Sequence, residues 1–122
     1  MPMVDAQLVG PVAEADRRDL ARRIADAAGE VFASPRGETW VTLHFVASEA
    51  YAENGDGPSA GVQPVVVSIV QANPPTGAML AEQVARLTRA IAAACGRPPE
   101  NVHLVYQPKA AGRVAFGGRL VE

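Results

Sequence analysis

Two hydrophobic rhythms alternate along the chain. Residues 2–9, PMVDAQLV, mix apolar and polar positions in strand fashion, and Gly10-Pro11 ends them. From Glu14 to Phe32 the period lengthens. Leu20, Ile24, Ala27 and Val31 recur at spacings of four and three, with Asp16, Arg17, Asp19, Arg22, Arg23 and Asp26 on the other face. This predicts a helix of about five turns. Ser34-Pro35-Arg36-Gly37 breaks it, and TWVTLHFV (39–46), rich in β-branched and aromatic residues, predicts a second strand. Strand, helix, strand is a βαβ unit with a right-handed crossover.

The pattern then restarts. Residues 53–63, ENGDGPSAGVQ, are the one linker-like stretch. Pro64 to Val70 is apolar on both faces, which predicts a central parallel strand. Asn73-Pro74-Pro75-Thr76 punctuates, with Thr76 placed to cap a helix. Leu80, Val84, Leu87, Ile91 and Ala94 form its stripe, and Gly96 stops it. Residues 101–106, NVHLVY, make the fourth strand, and AGRVAFGGRLVE predicts a hairpin around Gly117-Gly118.

The expectation is therefore one domain over residues 1–122, built from βαβ units at 2–52 and 64–122. Its class is α/β (α+β), with one four-stranded mixed sheet and both helices on one face. Val41, Leu43 and Phe45 alternate with Trp40, Thr42, His44 and Val46; Val102, Leu104 and Tyr106 alternate with His103, Val105 and Gln107. One set packs under the helices. The other, mixed set suits another subunit better than water.

Composition narrows the function classes. The 122 residues, 48% hydrophobic and 20% charged, are ordinary for a globular domain, and a net charge of −2 offers no argument for nucleic acid or an anionic membrane. Aromatic content of only 5% adds a reason to expect oligomerisation. A single cysteine, Cys95, excludes an internal disulfide, and the head of the chain carries no basic-then-apolar leader pattern. Both point to a cytoplasmic protein. The apolar run 64–70 is too short to span a bilayer.

Chemistry is concentrated at the start. Once Met1 is removed, as a small following residue permits, Pro2 carries a free secondary amine. A reference α-amine titrates at about 7.7–8.0, and apolar burial lowers that value by disfavouring charge. A neutral amine is a general base suited to moving a proton next to a carbonyl.

An N-terminal proline opening the first of two βαβ units, with a Gly-Gly turn near the end, resembles the tautomerase superfamily. That group includes 4-oxalocrotonate tautomerase (4-OT) and macrophage migration inhibitory factor. Three stretches carry the likeness: PMV at the start, TLHFVASEAYAENG (42–55), and PENVHLVYQ followed by GRVAFGGRLV. The resemblance implies a homotrimer whose sheets form a central barrel, with the proline in a pocket at the subunit interface. It implies cofactor-free, metal-free interconversion of enol and keto forms of small 2-oxo acids. Relatives use the same proline for decarboxylation or dehalogenation of small unsaturated acids.

By the same resemblance, Arg36 falls where a pocket lysine stands and is a candidate to bind a substrate carboxylate. His103 falls on the strand position of a substrate-binding arginine. Arg113 and Phe116 lie in the segment that supplies an aromatic wall, with the phenylalanine shifted by two places and Val114 in the family's position. Tyr106 is a further substrate-binding candidate, and His44 reads as structural. The family's arginine after strand one is replaced here by Val9-Gly10-Pro11-Val12, which favours a monocarboxylate or a more apolar enol. Two alternatives stay open. One is hydration, dehalogenation or decarboxylation on the same fold, with Tyr51 and Glu53 as the water-activating candidates. The other is a non-catalytic trimeric binding protein. Two histidines without a Cys or carboxylate cluster make no metal signature.

Overall fold

The first strand, β1 (Pro2–Val9), buries Pro2, Val4, Ala6 and Leu8 and turns Met3, Asp5 and Gln7 to the opposite face. The computed structural model describes residues 1–122, and this period-two division runs through most of its main sheet, breaking at the strand ends where Val9 is buried and Phe45 exposed. Helix α1 (Glu14–Phe32) returns across the buried face on Leu20, Ile24 and Ala28. Of the other stripe positions, Val31 packs partly against the core as expected, and Ala27 and Val31 also line the groove toward the second helix with Ala90, Ala93 and Ala94. No side chain caps the start of α1, but Glu14 and Asp16 occupy its first turn, where the helix dipole favours negative charge. At its end Ala33 adopts a left-handed conformation, φ 53°, and Ser34 N–H donates to the Gly29 carbonyl at 2.9 Å. That is a Schellman closure with alanine in the place usually taken by glycine.

Strand β2 (Trp40–Val46) runs parallel to β1, from Met3 opposite Trp40 to Val9 opposite Val46. A short 3-10 turn, Ser48–Ala50, and a loop lead to β3 (Val65–Gln71). The expectation of a central parallel strand is half corrected here. β3 is central, but it pairs antiparallel with β1, Pro2 opposite Gln71 and Leu8 opposite Val65. It is parallel only to β4 (Val102–Tyr106). Its apolar second face, Val66 and Val70 around Ser68, reflects the exposed side of the sheet rather than a second helix layer.

Helix α2 (Gly77–Cys95) buries Leu87, Ile91 and Ala92 and closes on Gly96, φ 67°. Thr76 stands at its N-cap with extended backbone, but its hydroxyl makes no capping bond. The strand order is β2-β1-β3-β4, a mixed sheet with both helices on one face. The two βαβ units are related by a half-turn about an axis normal to the sheet. That operation reverses strand direction at the β1–β3 seam while leaving both helices on the same side. The core joins Val4, Ala6, Leu8, Val65, Val67, Ile69 and Val102 of the sheet to the six buried helix side chains just named.

The other face has no cover. Trp40 is 51% and Val105 48% exposed there, beside Met3, Val66 and Val70. The chain exposes 7552 Å², whereas a folded monomer of this mass exposes roughly 6,200 Å². After β4 the chain crosses one end of the sheet as a strap. Ala110 and Ala111 donate to the carbonyls of Gln71 and Ala72 at 2.8 and 3.2 Å. The hairpin β5 (Ala115–Phe116) and β6 (Arg119–Leu120) follows, turning at Gly117-Gly118, both at positive φ as a primed turn demands. No helix is long and apolar enough to cross a membrane.

Candidate functional site

Register decides which residues share a height. The starts of β1 and β2 and the ends of β3 and β4 meet at one end of the sheet. Pro2 is the buried first residue of that end. Directly across from it lies Gln71. Beside them Met3 is flanked by Trp40 and Val70.

The strap closes this end from outside. Ala110 is fully buried against it, and the Phe116 ring meets Trp40 edge-on, centroids 5.0 Å apart at 78°. The Trp40 indole N–H donates to the Gly37 carbonyl at 2.9 Å, which fixes the ring. Phe116 thus packs on Trp40 of its own chain. Between Trp40, Met3 and Val70 a hollow of about 290 Å³ opens on the bare face of the sheet, with Asp5, Thr42 and Ser68 as its polar rim. Sequence reasoning missed Trp40 and Gln71 as site residues. The signal for Gln71 was a lone amide ending an otherwise apolar strand, PVVVSIVQ. Its side-chain oxygen is buried without a hydrogen-bond partner in the chain.

The remaining candidates divide by height. Arg36, in the turn before β2, stands at the proline end but lines a separate groove of about 760 Å³ with Asp26 and Glu30 at the end of α1. Arg113 follows the buried Ala110 in the strap, its N–H donating to the Ala110 carbonyl at 2.9 Å. Lys109, Arg113 and Arg119 set three cations against Glu122 in the last sixteen residues of a chain whose net charge is −2. Tyr106 faces α2 and donates to Gln83 Oε1 at 2.7 Å, and burial pushes its hydroxyl up from the ordinary tyrosine value. It is bound into the helix–sheet contact.

His103 lies at the other height. It pairs with Val66, which pairs with Gln7, so roughly 16 Å of strand and two strand spacings separate it from Pro2. Only a second copy of the chain can bring a His103 to this Pro2. His44 shares the exposed face and binds Asp5 across the strands, Nε2 to Oδ1 at 2.7 Å, both side chains half-exposed. The loop holding Tyr51 and Glu53 leaves the sheet after Val46 and re-enters at Val65, at the end opposite Pro2. The water-activating pair is therefore not beside the proline of its own chain. Tyr51 donates to Glu53 at 2.5 Å, and that bond holds the tyrosine in its neutral form and pushes its pKa up. At the same far end Arg97 donates to the Val9 and Gln63 carbonyls at 2.7 and 3.0 Å, a structural tie between strand ends. No three His, Cys, Asp or Glu side chains converge as metal ligands.

No protein-family model and no curated protein matches the sequence. The fold does match solved structures along nearly its whole length. A fused 4-OT described as a wild-type symmetric trimer superposes with a TM-score of 0.77 at 16% identity, covering 98% of this chain and 94% of that one. A macrophage migration inhibitory factor-like protein from Entamoeba histolytica gives 0.68 at 13% identity, covering 98% and 97%. A malonate semialdehyde decarboxylase, described with decarboxylase and hydratase activities, gives 0.68 at 19% identity, covering 94% and 90%. The chain has the fold that these structures share, which is the fold the sequence resemblance implies.

Proposed function

We propose that this chain is a cofactor-free isomerase of the cytoplasm that interconverts enol and keto forms of a small 2-oxo acid, with the amine of Pro2 as general base and then acid. The observation that carries the reading is the placement of Pro2: buried, first in β1, at the sheet end crossed by the cationic strap. In the ketonising direction, the neutral amine accepts the enol O–H proton and returns a proton to carbon from its own N–H. Atoms and electrons balance within substrate and amine, so the step needs no co-reactant. Arg113, in the strap, suits a carboxylate, whereas Arg36 stands at the same height but lines the separate groove. Trp40 and Phe116 offer an apolar wall. One carboxylate and an apolar remainder match this lining better than a dicarboxylate does.

The active form in this reading is a homotrimer. The bare sheet face, the roughly 1,300 Å² of surface above that of a typical monomer of this mass, and the trimeric state named for the fused 4-OT structures support it. Such packing also lets a neighbour's His103 approach the site. Hydration or decarboxylation, named for one structural neighbour, is the second reading, and it too requires that a neighbouring copy bring Tyr51 and Glu53 to the proline.

The test follows enol loss by ultraviolet absorbance with phenylpyruvate enol and 2-hydroxymuconate. General-base catalysis contributes roughly 10²–10⁴-fold, so Pro2→Ala should lose that factor while its oligomeric state is unchanged. Equal turnover by Pro2→Ala and the unaltered protein would refute the assignment.

A further inference from the structure

Gln71 presents the one buried side-chain polar atom without a hydrogen-bond partner, its amide oxygen Oε1. Burying an acceptor without a donor is costly, and native proteins rarely leave one so. The donors nearby are already engaged. The Ala110 and Ala111 N–H groups serve the backbone carbonyls of Gln71 and Ala72. The Tyr106 hydroxyl serves Gln83. The residue directly opposite Gln71 in the β1–β3 ladder is Pro2. Both point to the helix side, in phase with Val4 and Ile69. Directly opposed residues of an antiparallel pair carry their Cβ atoms about 4.5–5.5 Å apart, within reach of a glutamine amide. As an internal residue, proline has no N–H to give. As a chain terminus it gains one when neutral and two when protonated.

We infer that Gln71 is a positioning residue for the Pro2 amine: its Oε1 accepts the N–H that removal of Met1 creates. The inference rests on the proposed role of Pro2 and adds a function for a residue that touches no substrate. In the neutral amine, the N–H held by Gln71 directs the lone pair away from β3. In the protonated amine, the same bond stabilises the ammonium and opposes the effect of burial. The base is thereby kept from becoming too weak to take a proton.

The experiment reads the amine directly and needs no substrate. The protein is produced with ¹⁵N-proline; of its ten prolines, only Pro2 can titrate. Its ¹⁵N shift is followed against pH in the unaltered protein, in Gln71→Met, which lacks the acceptor, and in Gln71→Glu, which makes the acceptor anionic. A hydrogen bond to a charged group corresponds to roughly one to two pKa units. The midpoint should fall by that amount in Gln71→Met and rise in Gln71→Glu. Superimposable titrations overturn the inference, as does an upward shift in Gln71→Met, which would mean that the amide presents its N–H₂ side. If Gln71→Met does not fold, the near-isosteric Gln71→Glu decides alone, and an unchanged or lowered midpoint there overturns it. These failures leave the general-base reading standing wherever Pro2→Ala still loses turnover. An intact mass that retains Met1 overturns both.

Discussion

Val105 offers the sharpest test of how the bare sheet face is covered. It is 48% exposed and stands opposite Ser68, which stands opposite Asp5. If a second copy covers this face, each chain buries the remaining half of the valine. Full burial of a valine side chain contributes about 1.5–3 kcal/mol, so half contributes about 1 kcal/mol per chain. Val105→Asp removes that gain and introduces a carboxylate without a cation on the face. The acid of Asp5 would lie two strands away, roughly 10 Å. The effective penalty for an unpaired ion taken out of water is several kcal/mol. At about 4 kcal/mol per chain, a trimer loses roughly 12 kcal/mol of association free energy, enough to abolish it at micromolar concentration. Sedimentation equilibrium should give a trimer mass for the unaltered protein and a monomer mass for Val105→Asp. Val105→Thr, of the same shape and uncharged, should stay largely trimeric. Far-ultraviolet circular dichroism should be unchanged in both, because Val105 faces away from the core. A Val105→Asp protein that remains a trimer would refute the reasoning, as would an unaltered protein that is monomeric.

Two further outcomes follow from local chemistry. Ala33→Gly should raise stability by about 0.5–1 kcal/mol, because relief of left-handed backbone strain exceeds the entropy cost of glycine; a lower urea midpoint would contradict the assigned closure of α1. Burial pushes the Cys95 thiol up, with Arg97 and Arg23 only partly offsetting it. A raised folded pKa stabilises the fold below the ordinary thiol value, and that contribution is lost as pH rises through the folded one. Cys95→Ala should therefore show a smaller fall in urea midpoint between pH 8 and pH 10 than the unaltered protein. Parallel curves would refute that cause.

Most of the elements were legible because helices and strands are written in short-range periods. The bounds of β1 and α1 agree with those expected, since Gly10-Pro11 and the Ser34-Pro35-Arg36-Gly37 cluster frame them. The residue that stops α1 was not legible: Gly96 announces the end of α2, whereas the corresponding Ala33 is forced into a left-handed turn by the chain that follows. The face of each strand residue was also readable. Val41, Leu43 and Phe45 separate from Trp40, Thr42 and His44, because alternation is a property of the strand itself.

Height along the sheet is different. His103 and His44 share a face with the hollow beside Met3 and Trp40, and face alone makes them neighbours of it. Pairing puts His103 at the far end and Gln71, sixty-nine positions along the chain, against Pro2. The apolar run of β3 likewise said that the strand was central but not that β1 runs against it. By itself the sequence determined two βαβ units, their faces, and a proline at the head of the first strand. Only the tertiary structure decided which strand ends meet, and so which side chains surround that proline. The physical reason is that a strand's face depends on its own two-residue period, whereas register is chosen by the partner strand.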